Sequence, residues 1–463
     1  MKPILLNAFQ MNTVGHHAHG LWTHPRDRSR HYNELGYWLD LARTLERGCF
    51  DGIFLADVLG VYDVYQNSPA AALRNAMQIP VGDPMMLVSA MAAVTEHLSF
   101  GITGIVGFEP PYPFARRMST LDHLTNGRVA WNIVTGYLNS AARGIGQSSQ
   151  QTHDQRYDTA DEFMEVVYRL WEGSWEDDAV VADKQTHVFA DPAKVHRVKF
   201  SGAHYSVDAI HLCEPSLQRT PILFQAGSSE RGRAFAARHA ECVFVLQTSK
   251  LATASIVEDL RARTLAQGRA ADDIRIFNLA TVITGPDESA AQAKLADYRK
   301  YVSPESVLAV LSGGTGIDLG KFELDEPLRY EKTDAVQSIL HMFQTDGAKL
   351  RTMRELGERG GIGSGSLLIV GSPTQVADEL EAWIDETGID GFNLASAVMP
   401  ETFADFVEFI VPELQRRGRL KRSYAQGTLR EKLFGYARLP SSHPASVHRS
   451  ARKASNPDEG RNK

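Results

Sequence analysis

Cys49-Phe50-Asp51-Gly52-Ile53-Phe54-Leu55-Ala56 and, far downstream, Ile389-Asp390-Gly391-Phe392-Asn393-Leu394-Ala395 are two versions of one junction. Each follows a helical stretch ending at a glycine, Gly48 or Gly388, a residue suited to the left-handed position after a helix. Each then turns into a short continuous apolar run, the pattern of a strand covered on both faces. The same grammar recurs at residues 98–103, 127–134 and 240–246. Along the chain such runs number eight: residues 4–9, 53–56, 100–105, 129–134, 222–225, 243–246, 274–283 and 392–395. Amphipathic helices lie between them. Residues 155–171 place Ala160, Phe163, Met164, Val167, Leu170 and Trp171 at helical spacing. Ser372-Pro373-Thr374-Gln375 is a capping box with proline at the first helical position. Eight strands alternating with helices predict an α/β chain, a (β/α)8 TIM barrel with long insertions between strands. The competing architecture is an open doubly wound sheet. It normally carries a G-x-G-x-x-G turn after the first strand, and Phe9-Gln10-Met11-Asn12 is not one.

Three connections are too long for simple turns: residues 57–81, 173–221 and 286–366. The expectation is one barrel domain over residues 1–440 carrying these insertions, then a flexible polar tail over 441–463. The third insertion holds Gly313-Gly314-Thr315-Gly316 and Gly360-Gly361-Ile362-Gly363-Ser364-Gly365, read as hinges of a mobile lid over the barrel mouth. Of the 463 residues 43% are hydrophobic and 23% charged, ordinary for a globular enzyme and wrong for a disordered, collagenous or membrane-spanning chain. The net charge of −7 disfavours nucleic acid as a partner. Three widely spaced cysteines, Cys49, Cys213 and Cys242, argue against a disulfide framework. There is no signal-peptide core, and the apolar stretch from Met85 to Thr95 is too short for a bilayer. A cytoplasmic enzyme without a membrane partner is expected.

In a barrel of this kind chemistry sits at the C-terminal ends of the strands. There the chain offers His16, His17 and His19, then Asp57, Tyr62 and Asp63, then Thr103, then Asn132, Thr135 and Tyr137. Gln225-Ala226-Gly227-Ser228-Ser229 follows the fifth strand and Gln247-Thr248 the sixth. His17-Ala18-His19 has metal-site spacing. The other strand ends, however, offer Asn132, Gln225, Gln247 and Ser396, which are poor ligands, so no metal is expected. Ser228-Ser229-Glu230-Arg231-Gly232-Arg233 opens a helix. It reads equally as an anion site made by free N–H groups or as a plain serine cap. Thr152 and Gln155 make a capping box, and His153 and Tyr157 share one helical face, fit either for a phosphate or for ordinary packing. The mouth lacks a carboxylate dyad, a nucleophile elbow and a Walker loop, which points to a cofactor as the carrier of the chemistry.

Several motifs then resemble one family. They are Asn7-Ala8-Phe9-x-Met11-Asn12, His17-Ala18-His19-Gly20-x-Trp22, Phe54-Leu55-Ala56-Asp57 and Arg116-Arg117-Met118-Ser119-Thr120-Leu121-Asp122. With them go Gly127-Arg128-Val129-Ala130-Trp131-Asn132, His153-Asp154-x-Arg156-Tyr157, Gln225-Ala226-Gly227 and Arg430-Glu431-Lys432-Leu433-Phe434-Gly435. Together, to about Pro440, they resemble the bacterial-luciferase-like flavin monooxygenases. The branch is that of the nitrilotriacetate, dibenzothiophene sulfone, dimethyl sulfide and long-chain alkane monooxygenases, with the alkane and then the dimethyl sulfide enzymes most similar. The resemblance implies reduced FMN supplied by a separate NAD(P)H:FMN reductase, O2 activated as a C4a-peroxyflavin, and a homodimer or homotetramer. It implies that Asp57, Thr103, Asn132, Gly136 and Tyr137 line the isoalloxazine, and that Tyr157 with Ala226, Gly227, Ser228 and Ser229 holds the phosphate, with His153 beside them. His16, Tyr62 and Gln78 match polar residues near the substrate, and Tyr137 joins them as a candidate catalytic group. Thr13 stands where the alkane enzyme has cysteine, and Tyr137 and Val310 where it has histidines. An uncharged, largely apolar substrate is therefore expected, surrounded by Phe9, Met11, Phe54, Tyr62, Tyr137 and Val310: an alkane, an organosulfur compound or a haloaromatic xenobiotic. The alternatives are a deazaflavin-dependent oxidoreductase of the same fold and a metal-dependent TIM-barrel hydrolase.

Overall fold

The computed structural model describes residues 2–325 and 352–450, with the backbone alone at Ser450. All eight apolar runs are strands: β1 Leu5–Met11, β2 Gly52–Ala56, β3 Ser99–Ile105, β4 Val129–Val134, β5 Ile222–Gln225, β6 Cys242–Val245, β7 Arg275–Thr284 and β8 Gly391–Ala395. They lie parallel in the order β6-β5-β4-β3-β2-β1-β8-β7, and β6 pairs with β7 to close an eight-stranded TIM barrel. One further strand, Leu367–Gly371, pairs with Ala280–Thr284 of β7 and extends the sheet outside the barrel. It follows the glycines of the third insertion, where no apolar run was read as a strand.

Continuous apolar runs are needed because both faces of each strand are buried, with alternate side chains pointing opposite ways. In β2, Ile53 and Leu55 pack toward the surrounding helices and Phe54 packs inward. Phe54 meets Phe9, Phe224 and Phe244 at centroid distances of 5.4, 5.3 and 5.7 Å in edge-on contacts. Phenylalanines thus fill the barrel and leave its mouth as the place for a ligand. The floor is closed by the helix Leu429–Phe434, whose Leu429 and Leu433 join this inner cluster. The Leu429 N–H donates to Gly127 O at 2.8 Å. Buried Arg430 grips buried Glu241 at 2.7 and 2.9 Å and donates to the carbonyls of Gln218 and Thr220. Two of the motifs quoted above are therefore parts of the floor.

Four expectations are corrected. Gly388 takes the left-handed cap at φ 76°, but Gly48 does not. Its φ is −80°, the positive φ passes to Cys49, and glycine is needed there because a Cβ would lie 2.4 Å from Val407. Some glycines of the third insertion are packing points, while Gly314 and Gly316 have open space around them and Gly316, Gly363 and Gly365 take positive φ. A Cβ on Gly357 would lie 2.5 Å from Pro304, and one on Gly360 would lie 2.6 Å from Val307. They let the helices Pro304–Thr315 and Met353–Gly360 pack closely, while residues 326–351 of the expected lid lie outside the described residues. Residues 441–450 do not begin a loose tail. His443 and Ala445 are buried, and His443 bonds the His239 carbonyl at 3.0 Å through Nε2. The rest of that segment lies outside the described residues. Finally, Phe9 and Phe54 belong to the barrel filling. Among the described residues no helix is long and apolar enough to cross a membrane.

Candidate active site

A cleft of about 370 Å³ opens at the C-terminal ends of β2 to β5. One end is built by two helices whose N-termini converge. His153–Gly173 is opened by the Thr152/Gln155 capping box, and Glu230–His239 is capped by Ser229, whose Oγ accepts from the Gly232 N–H at 3.0 Å. The same Oγ lies 3.1 Å from His153 Nε2, joining the two helices. His153 and Tyr157, four apart, both face this junction; the Tyr157 OH accepts from Gln225 Nε2 at 3.3 Å, and Arg231 lies over its ring. Gly227 and Gly232 leave the space: a Cβ on Gly227 would lie 2.5 Å from the Tyr157 OH and 3.0 Å from Gly232 Cα. Two helix N-termini and their dipoles converge here, an arrangement able to hold an anion, with Asp154 paired to His153 Nδ1 at 2.8 Å on one of them.

In the middle of the site Gln225 and one acid, Asp57, line the cleft. Beneath them Thr103 and Asn132 are partners across β3 and β4, and Asn132 Nδ2 donates to Thr103 Oγ1 at 2.9 Å. Asn132 Oδ1 and Gln225 Oε1 are buried without a partner among the described residues. Asp57, at the end of β2, is pushed up to about 7 by burial and then by the charge of Asp83, against one bond from the Val58 N–H.

Behind Tyr137, which lines the far end, the buried Tyr62 OH donates to Gln78 Oε1 at 2.9 Å and meets the Tyr137 OH at 2.5 Å; neither Tyr62 nor Gln78 lines the cleft. Burial holds both phenols above their ordinary value, so both keep their protons at neutral pH. The Tyr62 ring lies against Gly313 of the third insertion, where a Cβ would come within 2.3 Å. Around it Met11, Val58, Leu138 and Ala141 pack with Phe108 and Val310 as an apolar wall. Thr13 is occupied, donating to Pro80 O at 2.7 Å.

The chain matches the luciferase-like monooxygenase family over residues 13–391. It belongs to that family. It is 52% identical over 453 residues to dimethyl-sulfide monooxygenase of Hyphomicrobium sulfonivorans, covering 97% of this chain and 94% of that one. It is 50% identical over 450 residues to long-chain alkane monooxygenase of Geobacillus thermodenitrificans, covering 97% and 98%. The crystal structure of DmoA from Hyphomicrobium sulfonivorans superposes with a TM-score of 0.92 at 51% identity, covering 99% of this chain and all of that one. That of riboflavin lyase with modified FMN and riboflavin gives 0.89 at 35% identity, covering 97% and 100%.

In this luciferase-like monooxygenase the cleft gathers nine residues expected at a cofactor: Asp57, Gly136, Tyr137, His153, Tyr157, Ala226, Gly227, Ser228 and Ser229. Thr103 and Asn132 are buried beneath and do not line it. His16 stands apart from the tyrosines. It packs on Phe9 at 4.7 Å and His17 at 4.2 Å, and among the described residues no hydrogen bond joins it to Tyr62, Gln78 or Tyr137. Burial keeps His16 and His17 neutral, His17 at about 4. His19 bonds Ser306 and Ser364 at 3.1 and 2.9 Å, and no group of three metal-ligating side chains forms among the described residues. Arg156, Gln225 and Phe108 also line the cleft without having been assigned a role. Gln225 and Arg156 stood inside quoted motifs; nothing local marks Phe108.

Proposed function

We propose that this luciferase-like monooxygenase is the oxygenase of a two-component system. It takes reduced FMN from a separate NAD(P)H:FMN reductase in the cytoplasm and uses O2 to oxygenate an uncharged, largely apolar small molecule. The observation that carries this reading is the cradle of two helix N-termini at one end of a cleft whose other end is apolar. It has room for one phosphate, and the first strand lacks a dinucleotide fingerprint, which favours FMN over a nicotinamide dinucleotide. The unpartnered Gln225 oxygen at the cleft and the space kept by Gly227 fit a flavin. Bound reduced FMN would supply the electrons and the atom at which O2 reacts.

The chain's own groups have separate tasks. Ser229, Tyr157 and His153 with the backbone N–H groups hold the phosphate. Val58, Phe108 and Leu138 exclude water. Tyr62, kept protonated and aligned by Gln78 and Tyr137, holds a proton at its hydroxyl for the oxygen that leaves as water. An apolar wall without a paired cation suits alkanes, organosulfur compounds or haloaromatics rather than polycarboxylates, whose charges would be costly to bury. The names of the relatives point the same way. The test is turnover with FMN, a reductase and catalase, with oxygenated product measured separately from uncoupled peroxide. Product should form from dimethyl sulfide or a long-chain alkane only when flavin and reductase are both present. Turnover with NADH alone refutes the cofactor. Faster product formation from nitrilotriacetate than from every apolar candidate refutes the substrate class.

A further inference from the structure

Beside the flavin cleft lies a second cavity of about 180 Å³. The two share Phe108, Thr135 and Arg156 as a common wall. The second is polar where the first is apolar, lined by Gln147, Gln150, Gln151, Arg156, Thr159 and His204. Its far side is the turn of the hairpin formed by Val198–Ser201 and Ser206–Ala209. Glu162, the nearest acid on the helix, is consumed in holding that turn, accepting from the N–H groups of Ala203, His204 and Tyr205 at 2.7, 2.8 and 3.2 Å. Among the described residues no carboxylate lines the cavity.

What the chamber does hold is donors without acceptors. Arg156 Nη1 donates to Gln151 O at 2.9 Å, but its Nε is buried without a partner, and no acid lies within ion-pair distance among the described residues. Fully buried Arg430, by contrast, has Glu241. The Gln150 amide is fixed by its oxygen, which accepts from the Gln151 N–H at 3.1 Å, so its Nε2 is the free end, buried and unpartnered as well. A guanidinium N–H and an amide N–H can only donate, and leaving them unmet in a partly desolvated place is costly. Arg156 stands in the wall between the two cavities, three residues from His153 and so beside it on the helix, whereas Gln150 and Thr159 line the chamber alone.

We propose that this side chamber is a binding site for one small oxyanion, a sulfate, a phosphate or a carboxylate group, held by Arg156 and Gln150 independently of the flavin phosphate. The site lies beyond the flavin reading of the cleft and does not depend on it.

The test is selenate, located by its anomalous scattering in crystals of the flavin-free and of the FMN-loaded protein, with sulfate affinity measured by calorimetry. Selenate should appear in the chamber beside Arg156 and Gln150 in both forms. Loss of selenate from the Ser229 cradle alone on adding FMN leaves the chamber site standing and tests the cofactor reading separately. Gln147→Glu, which puts a carboxylate in the chamber away from the cleft, should weaken sulfate about tenfold or more and leave FMN affinity unchanged. Arg156→Met should do the same to sulfate. Replacing sulfate by acetate and hexanoate separates two sources: affinity rising with chain length means the acid end of a longer molecule reaching in from the cleft, and sulfate binding alone means a free inorganic ion. An empty chamber at millimolar selenate in both crystals, or sulfate affinity indifferent to both variants, overturns the proposal.

Discussion

The two ends of the cleft are built by opposite methods. The phosphate end uses backbone: Ser229 and Thr152 each cap their own helix, and glycines clear the space between. The tyrosine end uses side chains brought from separate segments, Tyr62 and Gln78 from the first insertion, Tyr137 after β4, and Gly313 from the third insertion. A cradle built on helix ends depends on local capping and on keeping negative charge out. An assembly of hydroxyls fails when one member goes. Binding of cofactor and chemistry on substrate should therefore be separable by mutation.

The largest separation is expected from Tyr62→Phe. It keeps the ring on Gly313 but removes the hydroxyl joining Gln78 to Tyr137, so product formation should fall about a hundredfold while FMN affinity stays within about twofold. Equal loss of both would merge the two ends. Ser229→Asp acts in the reverse direction. A carboxylate in the cradle should weaken FMN by ~1–3 kcal/mol, about 5–160-fold, with the helix kept because aspartate also caps. An unchanged dissociation constant would move the phosphate elsewhere. Gly313→Ala should cost about 1–2 kcal/mol by pushing on Tyr62, partly offset by better helix propensity. The readout is a lower Tm with flavin affinity intact.

The smallest effect belongs to Asp57, which stands between the ends. Its carboxyl is raised from 3.8 to about 7 in the fold. The native state therefore keeps a proton that the unfolded chain loses, and wild-type stability falls as pH rises through that window, the full cost standing above it. Asp57→Asn removes the titration. Its advantage in urea melts should grow from nothing near pH 4 to about 1–2 kcal/mol near pH 8, less than the full shift implies because the group is only partly buried. A difference that does not vary with pH would mean that Asp57 is ionised throughout.

Legibility in the sequence followed the same division. β1 to β8 could be read because a strand buried on both faces is a nearly continuous apolar run, as Gly391–Ala395 is but for Asn393, whose Oδ1 accepts from Asn7 Nδ2 at 3.0 Å. The strand Leu367–Gly371 escaped because it lies outside the barrel, with only two of its five residues buried. Some glycines of the third insertion misled because conformational freedom and close packing leave the same mark in sequence. Ser229, His153 and Tyr157 were legible from cap and spacing. Tyr62 and Tyr137 could be placed at strand ends but Gln78 came only through family resemblance, and nothing in their surroundings foretells a 2.5 Å contact between residues 75 positions apart. Phe108 left no signal, because its direction is set by neighbours from other segments.

The closure of the barrel also sets a timetable for making the protein. β1 finds β2 soon after both leave the ribosome, but its other edge is met only by β8, Leu5 lying opposite Gly391. At ~5–20 residues per second that edge waits on the order of 20–80 s. The floor helix Leu429–Phe434 arrives later still. Throughout, an apolar strand with unpaired N–H and C=O groups is open to any other nascent chain. The yield of soluble enzyme should thus respond to translation speed and to chaperones acting during synthesis more than to the stability of the finished barrel.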